Sequence, residues 1–265
     1  MKKPVRCPNC SIQMEVNVPL NADDVYNDAV KSTSGLILDS MVSAGFNIEN
    51  FLKERQRISM LNRDLGEFLN EPIESIVKNS FEPEPRLAEQ WKSKETTDKF
   101  YINNKDYLYD NIKYNQFLSY HFDRLFPFSQ IKHLKSLDWG CGIGSLVFLL
   151  SHNNISTGYD INPKVIEFAD FLKKKYGYHC EFTLNEPDYS QFDLITALGT
   201  LEHIEDLESL IKKFAVMKSG SSLVHIDDWG DQTISPMHFN HSGNIDKWLI
   251  ESGFMIKNER VAVKI

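Results

Sequence analysis

The sequence predicts an α/β fold with a doubly wound, mostly parallel sheet, preceded by a helical region. From about residue 96 to the end, strand-like and helix-like segments alternate, as expected for parallel strands joined by helices. A glycine-rich loop, 140–144, connects the first of these strands to a helix. Residues 21–95 instead carry apolar residues at three- and four-residue spacing, which is typical of amphipathic helices. We therefore predict three parts: a Cys-x-x-Cys hairpin over 1–20, a helical region over 21–95 and an α/β domain over 96–265.

The strands of the α/β domain are predicted from short apolar and β-branched runs between turn residues. We place six of them at 136–139, 156–160, 180–183, 193–198, 222–227 and 254–257, and a last, antiparallel strand at 261–265. The helices between them are predicted to begin near Ser145, Pro163, Ile204 and Ser242. The second helix has clear ends, because Asn162 is a cap, Pro163 takes the first helical position and Gly177 follows the last turn.

The helical region is clearest between residues 47 and 70. Eight apolar side chains recur there at helical spacing and make one stripe: Ile48, Phe51, Leu52, Ile58, Leu61, Leu65, Phe68 and Leu69. Pro83 and Pro85, in the stretch "FEPEP", interrupt the helical pattern, and we predict a linker at that point.

The composition is that of an ordinary globular protein, with 42% hydrophobic and 25% charged residues. A formal net charge of −8 disfavours nucleic acid as the main partner, because proteins that bind it present a basic face. We expect no signal peptide, since "MKKPVRCPNC" lacks an apolar segment, and no membrane span. Four cysteines do not make a disulfide scaffold in a chain of this length, so the expected location is the cytoplasm.

The loop in "SLDWGCGIGS" has the spacing to bind a ligand through its backbone. Gly140, Gly142 and Gly144 follow a strand and open a helix, the place where open α/β sheets bind ligands. The spacing is not that of a dinucleotide loop, because Ser145 stands where the third glycine would be. No Gly-Lys-Ser/Thr follows, so the loop does not match a phosphate-binding P-loop.

Two acidic residues narrow the ligand class further. Asp138 ends the strand just before the loop, where a carboxylate would repel a pyrophosphate but can pair with an ammonium group. Asp160 ends the next strand, 22 positions further on, where a carboxylate can bind the two hydroxyls of a ribose. The pattern therefore predicts a ligand with a ribose, a cationic amino-acid end and no phosphates.

Three blocks, "LDWGCGIGS", "GYDINPKVIEFAD" and "FDLITALGTLEHIEDLESLI", together resemble the class I S-adenosylmethionine-dependent methyltransferases. The resemblance covers roughly residues 101–265, and "LEHI" is similar to the small-molecule branch that includes quinone-biosynthesis O-methyltransferases. It implies S-adenosylmethionine as the cofactor. The residues that it places around the cofactor are Asp138, Gly140, Cys141, Gly142, Gly144, Asp160, Ile161 and Leu198.

The individual roles follow the family pattern. Asp138 and the glycines would hold the methionine end and Asp160 the ribose, while Ile161 would pack near the adenine and Leu198 behind the methionine. Cys141 would be a small loop residue and not a nucleophile. The family often has an acidic residue after the third strand for the adenine amino group; here Asn185 or Glu186 would have to serve, which leaves that contact open.

The tyrosine-rich segment before the first strand resembles the helix that folds over the cofactor in this family. It contains Tyr101, Tyr107, Tyr109 and Tyr114, and we select Tyr101 as the cofactor-binding lid residue. Core packing would also explain several aromatic residues at helical spacing.

His203 is the candidate catalytic residue. It follows the fourth strand at the carboxyl edge of the sheet, and histidine can take up a proton near neutral pH. The alternative is a structural histidine near a helix start.

Some relatives hold a divalent metal with Glu and His at this point and a second Glu three positions earlier. That earlier position is Gly199, so one ligand is missing here unless His238 or His241 replaces it.

The loop "HIDDWGDQTISPMHFNHSG" follows the fifth strand at the same edge of the sheet. Loops at this edge bear substrate contacts more often than scaffold roles. We predict that Asp228, Trp229 and His238 contact a polar substrate that has a flat or apolar part. An ordinary capped loop is the alternative.

Cys7 and Cys10, in "CPNC", form half of a zinc-ribbon pattern, and we assign them as candidate zinc ligands. A complete site needs four ligands, which a homodimer sharing the ion, or distant histidines, could supply. A redox pair or a knuckle held only by backbone bonds are the other two interpretations.

The predicted function is S-adenosylmethionine-dependent methylation of a small molecule, at oxygen in preference to nitrogen. The alternative, from another class, is a cofactor-binding or regulatory module whose N-terminal region docks a protein or RNA. A nicotinamide dehydrogenase is disfavoured by Ser145 and Asp138.

Overall fold

A computed structural model describes residues 2–6, 13–17, 48–81, 83–91, 97–104, 106–117, 120–229 and 237–265. The chain divides into two compact units, Met1–Ile48 and Glu49–Ile265. In the first unit, strand β1 (Lys2–Arg6) pairs antiparallel with β2 (Gln13–Asn17). The candidate zinc ligands Cys7 and Cys10 lie outside the described residues.

Within the described residues, six α-helices precede the central sheet of the second unit: α1 (Glu49–Ile58), α2 (Leu61–Leu69), α3 (Ile73–Phe81), α4 (Pro83–Gln90), α5 (Thr97–Asn103) and α6 (Asp106–Gln116). The apolar stripe of residues 48–69 is therefore divided between two helices. The stretch that we expected to be a linker instead begins a helix. Pro83 and Pro85 both lie in the first turn of α4, where backbone N–H groups have no acceptor within the helix and proline is tolerated.

The central sheet has seven strands, β3 (Lys135–Trp139), β4 (Ile155–Tyr159), β5 (Glu181–Thr183), β6 (Leu194–Leu198), β7 (Ser222–Ile226), β8 (Phe254–Asn258) and β9 (Val261–Lys264). Their order is β5-β4-β3-β6-β7-β9-β8. The first five strands are parallel, and β9 runs antiparallel to both of its neighbours. This topology confirms the predicted doubly wound, mostly parallel sheet and its antiparallel last strand.

In the part of the domain that the structure describes, four α-helices flank the sheet: α7 (Ser145–Ser151), α8 (Pro163–Tyr176), α9 (Leu207–Phe214) and α10 (Ile245–Glu251). The ends of α8 are those that the sequence predicts, with Asn162 as its cap and Gly177 left-handed at φ 72°. Helices α9 and α10 begin three residues later than predicted. Before α9, a 3-10 turn at Leu201–His203 comes first, and Asp206 then caps the helix.

The sheet is covered on both faces. Helices α9 and α10 pack against one face around fully buried Leu223, Phe214 and Leu249. On the other face, α7 and α8 lie next to the sheet, with α1 packed on α7 and α2 packed on α8. A short π-helix, His121–Leu125, leads into β3. In the part of the chain that the structure describes, no helix combines the length and apolar character needed to cross a membrane.

Candidate active site

The glycine loop lies between β3 and α7 and takes a backbone path that other residues rarely adopt. Gly140, Gly142 and Gly144 have φ values of 74°, 52° and 81°. A Cβ on Gly140 would lie 2.9 Å from Cβ of Thr200, and one on Gly144 would lie 2.5 Å from Cζ of Phe182. Glycine is therefore required here both for the left-handed conformation and for the close approach of neighbouring segments.

Asp138 lies at the carboxyl end of β3 with only 6% of its surface exposed. Its Oδ1 accepts a hydrogen bond of 2.7 Å from the Thr196 hydroxyl on the adjacent strand. Burial raises the pKa of this carboxyl to about 7, and the nearby Asp160 carboxylate adds to the rise. The site thus contains a buried acid that a bound cation would stabilise in its ionised form.

Asp160 directly follows the neighbouring strand β4 and is 4% exposed. Its Oδ2 accepts from the backbone N–H of Gly142 at 3.0 Å, and its Oδ1 accepts from that of Asn162 at 2.9 Å. Burial raises its pKa to about 6, although these backbone donors oppose the rise. Two oxygens of a carboxylate can accept about four hydrogen bonds, so capacity for further donors remains.

Two adjoining cavities open at this edge of the sheet, and both have Tyr101, Tyr107, Gly140 and His203 in their walls. The larger has a volume of about 460 Å³, within the usual range for ligand pockets. Its other lining residues are Trp139, Tyr159, Asp160, Ile161, Glu186, Thr200, Ile204, Glu205, Asp206, Ser209, Leu210 and Lys213.

The smaller cavity, of about 150 Å³, contains the predicted methionine-end residues. Among its lining are Asp138, Cys141, Gly142, Leu198, Gly199, Arg124, Glu202, Asp228, Met237 and His238. Helix α6 contributes one face to it, because Tyr107, Asp110, Asn111, Tyr114 and Asn115 all line the cavity at helical spacing.

Arg124 is a candidate binding residue that the sequence did not reveal. It lies on the π-helix, lines the smaller cavity, and its Nη1 donates to the Leu198 carbonyl at 2.9 Å. Gly199 permits this approach, since a Cβ there would overlap the guanidinium. In the sequence, the position of Gly199 directly after a strand was the only hint that a side chain comes close at this point. It did not indicate that the side chain is that of Arg124.

Tyr101 and His203 meet where the two cavities join. The Tyr101 hydroxyl lies 2.9 Å from Nδ1 of His203, and the His238 ring packs edge-on against His203, with a centroid separation of 4.6 Å. Burial lowers the pKa of His203 to about 3, and the His238 ring lowers it further, while a hydrogen bond to the Met237 backbone acts in the opposite direction. His203 is therefore neutral at pH 7, and a neutral imidazole has one donor and one acceptor nitrogen. With the ring N–H assigned to the Met237 backbone bond, Nδ1 accepts from the Tyr101 hydroxyl.

Glu202 places a second buried acid in the smaller cavity. It is 2% exposed, its Oε1 accepts from the Asp228 backbone N–H at 3.3 Å, and its Oε2 has no hydrogen-bond partner among the described residues. Burial raises its pKa to about 8, and the charge of nearby Asp227 raises it further. At neutral pH the carboxyl is therefore mostly protonated and can donate a hydrogen bond into the cavity.

Ser145, which replaces the third glycine of a dinucleotide loop, has a structural partner. It is 1% exposed, and its Oγ accepts from Nη2 of Arg57 at 3.1 Å. Arg57 in turn donates to the fully buried Glu54 carboxylate at 2.9 Å, which also accepts from Tyr178. The start of α7, directly after the glycine loop, is thus tied to helix α1.

The remaining predicted residues differ in their placement. Gly144 supports the loop from behind the cavities, and Trp229 packs against the apolar core between the sheet and α9, so neither is among the lining residues. Glu186 lines the larger cavity and pairs with Lys213 at 2.8 Å, whereas Asn185 does not line it. Within the described ranges, no group of three or more His, Cys, Asp and Glu side chains is arranged to hold a metal ion.

Three features agree with what the sequence resemblance implies: the sheet order with its antiparallel strand β9, the acidic-x-Gly-x-Gly-x-Gly loop after β3 and the buried acid after β4. They are the features expected of a class I, S-adenosylmethionine-dependent methyltransferase domain. In agreement, residues 137–219 match the family model described as "Methyltransferase domain".

The curated relatives are O-methyltransferases. The chain is 34% identical over 99 residues to the ubiquinone biosynthesis O-methyltransferase of Coxiella burnetii, a match that covers 35% of this chain and 42% of that protein. It is 30% identical over 101 residues to the Pelagibacter ubique protein of the same name, covering 36% and 42%. It is 28% identical over 127 residues to the malonyl-[acyl-carrier protein] O-methyltransferase of Acetivibrio thermocellus, covering 46% and 44%. The chain thus spans less than half the length of these relatives.

Solved structures with a similar arrangement include magnesium protoporphyrin IX methyltransferase from Synechocystis with bound S-adenosylmethionine. The identity is 19% and the TM-score 0.46, with 69% of this chain and 98% of that chain covered. A putative methyltransferase from Bacillus halodurans gives 16% identity and a TM-score of 0.46, with 51% and 69% covered.

Proposed function

We propose that this protein transfers a methyl group from S-adenosylmethionine to an oxygen atom of a small molecule. The observation that carries the proposal is the pair of buried acids on either side of a left-handed glycine loop, with Asp138 lining the smaller cavity and Asp160 the 460 Å³ cavity. Two buried carboxyls with raised pKa values form a costly arrangement in the protein alone. A cation and a pair of hydroxyl donors would offset that cost.

The lining residues fit the parts of this cofactor. Asp138 would pair with the ammonium group, Asp160 would accept from the ribose hydroxyls, and Arg124 has the charge to bind the carboxylate. The larger cavity has the apolar walls that an adenosine needs, including Ile161 and Leu210. When bound, S-adenosylmethionine supplies an activated methyl group on a sulfonium that is an excellent leaving group.

The chain's own residues then have two tasks, which are to align the acceptor and to exclude water. Tyr101, 6% exposed, and Tyr107 cover the junction of the two cavities, packed edge-on against each other at 4.8 Å. Next to them, Leu87, Phe100 and Met237 form an apolar cluster with Tyr101. This cover would keep water from the reacting atoms.

His203 would receive the proton of the acceptor hydroxyl at Nδ1. To do so it must release the Tyr101 hydroxyl, which occupies that nitrogen. A hydroxyl becomes strongly acidic as its oxygen bonds to the methyl group, so a neutral, weakly basic imidazole at contact distance is sufficient late in the reaction. Glu202, protonated at neutral pH, would donate from Oε2 to a second oxygen of the acceptor and so orient it.

Other parts of the proposal rest on the sequence. The matched relatives are named O-methyltransferases, which supports oxygen as the acceptor atom. Asp228 and His238 line the smaller cavity and remain candidate substrate contacts, and the substrate contact of Trp229 stays a prediction from the sequence. A zinc ion at Cys7 and Cys10, a homodimer that shares it and a cytoplasmic location remain proposals.

Calorimetric titration of the full chain with S-adenosylmethionine and S-adenosylhomocysteine tests the cofactor. Transfer of an isotope-labelled methyl group to a small-molecule cell extract, followed by mass spectrometry, tests the reaction and identifies the acceptor. Absence of binding by both compounds would refute the proposal.

Cofactor affinity is expected to depend on pH in a bell-shaped manner. Asp138 has a pKa of about 7 in the protein alone and must be ionised to pair with the ammonium, so affinity falls by up to about tenfold per unit below pH 7. Asp160, with a pKa of about 6, steepens the fall below that value. Above about pH 8 the cofactor's own amino group loses its proton, and affinity falls again. Titrations from pH 5 to 9, in buffers of different ionisation enthalpy, would measure the loss of affinity on the acid side and on the alkaline side. A flat profile between pH 6 and 8 would exclude the proposed pairing of Asp138 with the ammonium group.

Replacing His203 with asparagine is expected to lower kcat by about 10²- to 10⁴-fold, the usual contribution of a positioned proton acceptor. Cofactor affinity should change much less than kcat, because Asp138 and Asp160, the residues assigned to the ammonium group and the ribose, are unchanged. The readout is the rate of labelled methyl transfer to the acceptor identified above. His179→Asn, an exposed position outside both cavities, serves as the matched control. Equal rates for the wild type and His203→Asn would assign His203 a purely structural role.

A further inference from the structure

Asn162 makes more contacts than a helix cap requires. It is 1% exposed and follows Asp160 by two residues. Its Oδ1 accepts from the backbone N–H groups of Lys164 at 2.9 Å and Val165 at 3.1 Å, which caps α8. Aspartate, serine or threonine could make the same cap. The cap therefore does not explain why the side chain is an amide.

The amide nitrogen faces a different helix. Nδ2 of Asn162 donates to the carbonyl of Tyr101 at 2.6 Å and to that of Asn104 at 3.0 Å. Both carbonyls belong to the last turn of α5 or the residue after it, and the Tyr101 carbonyl also accepts from the Asn104 backbone N–H at 3.3 Å. One side chain thus satisfies the start of α8 and the end of α5. Only an amide has the acceptor and the two donors that this arrangement uses.

Tyr101 is consequently held at both ends. Asn162 binds its backbone carbonyl, and the side-chain hydroxyl donates to His203 on the far side of the cavity junction. Since Tyr101 lines both cavities, these two attachments fix α5 over the place where the ribose and the methyl group would lie. All four groups are neutral at pH 7, so the attachment does not depend on ion pairing or on salt.

We propose that Asn162 is a positioning residue that latches helix α5 to the loop bearing Asp160, so that the ribose contact and the tyrosine cover form as one unit. The inference rests on the proposed function, because it assigns the latch to cofactor retention. A cover that is held closed acts mainly on the rate of dissociation. Loss of the latch should therefore release the cofactor faster, with little change in its association rate.

Asn162→Asp separates the latch from the cap. Aspartate keeps the Oδ1 acceptor for α8, but it removes both amide donors and turns a carboxylate oxygen towards two carbonyls. Asn103→Asp is the matched control: it makes the same chemical change on the exposed side of α5, where Asn103 donates to the Lys99 carbonyl of its own helix. Asn162→Ser is the second variant, since serine also caps helices but lacks the amide donors.

The first measurement is hydrogen exchange of the free protein. We expect amides of residues 97–104 to exchange about ten times faster in Asn162→Asp and in Asn162→Ser, while those of α8 (Pro163–Tyr176) keep their protection. The second is calorimetry and stopped-flow binding. Both variants should bind S-adenosylmethionine and S-adenosylhomocysteine about tenfold more weakly, through faster dissociation, whereas Asn103→Asp should match the wild type.

Two results would overturn the latch. One is unchanged exchange over residues 97–104 in both Asn162 variants, and the other is a loss of protection confined to α8, which would make Asn162 a cap only. Equal affinity of the wild type and the variants would remove its link to the cofactor. Failure of the wild type itself to bind either compound would instead refute the proposed function, and the exchange experiment on the free protein would still decide whether the latch exists.

Discussion

Replacing Asp138 with asparagine is expected to weaken S-adenosylmethionine binding at least about 30-fold. Truncating one partner of a buried charge pair costs about 2–5 kcal/mol, and 1.4 kcal/mol corresponds to a factor of ten. The amide oxygen of the introduced asparagine could still accept the Thr196 hydroxyl bond that Asp138 makes, so the neighbouring strand keeps its contact. Calorimetric titration at pH 7.5 provides the measurement.

The same substitution should not destabilise the free protein. Asp138 has a folded-state pKa of about 7, above the ordinary value of 3.8, so the folded state holds a proton that the unfolded chain has released. Its contribution to stability therefore falls as the pH rises from about 4 to 7, and above pH 7 the buried charge is a net cost. The introduced amide carries no charge at any of these pH values, so at pH 8 the Asp138→Asn variant should melt no lower than the wild type.

Asp123→Asn is the matched control, because Asp123 is exposed on the π-helix and lines neither cavity. It should bind the cofactor with wild-type affinity. If Asp138→Asn retained affinity within threefold of the wild type, the ammonium pairing assigned to Asp138 would be wrong.

Replacing Gly140 with alanine is expected to reduce cofactor affinity by about 100-fold and to lower the melting temperature. The added Cβ would meet the side chain of Thr200, including its Cβ at 2.9 Å, and the φ of 74° disfavours any L side chain. To relieve the overlap, the loop must move relative to the segment after β6. Displacements of about 1 Å in a binding site are enough for losses of this size.

Gly177 offers a control that isolates the effect of the backbone conformation. Its φ is 72°, nearly that of Gly140, but a Cβ there would meet nothing within 4 Å. Gly177→Ala should therefore cost about 1–2 kcal/mol of stability and leave binding unchanged. Adding Thr200→Gly to Gly140→Ala removes all three overlapping atoms and should restore much of the affinity. If Gly140→Ala and Gly177→Ala behaved alike, the close contact with Thr200 would have no importance for the site.

The strands and the cofactor loop were predictable because their signals are local. Each predicted strand of the central sheet lies within about one residue of the observed one, since β-branched runs and turn residues mark both ends. The loop glycines and the two acids are close in sequence to the strand ends that place them. Even the cap of α8 is determined by neighbouring residues, Asn162 and Pro163.

Residues that act through distant contacts could not be found in this way. Arg124 reaches the cavity because a π-helix turns it towards a carbonyl 74 residues later in the chain. Pro83 and Pro85, which we predicted to mark a linker, lie instead in the first turn of α4, where proline is compatible with a helix. The low pKa of His203 arises from burial and from His238, a ring on another loop, so sequence position alone suggested a stronger base than the structure supplies.

By itself, the sequence determined the doubly wound sheet, the position of the glycine loop and the class of cofactor, because hydrophobic periodicity, glycine spacing and strand-end acids are properties of neighbouring residues. Only the tertiary structure decided which side chains line the two cavities and in what protonation state. Those properties depend on burial and on pairs such as Asn162 with Tyr101, 61 residues apart, which are brought together only when the helices pack over the sheet.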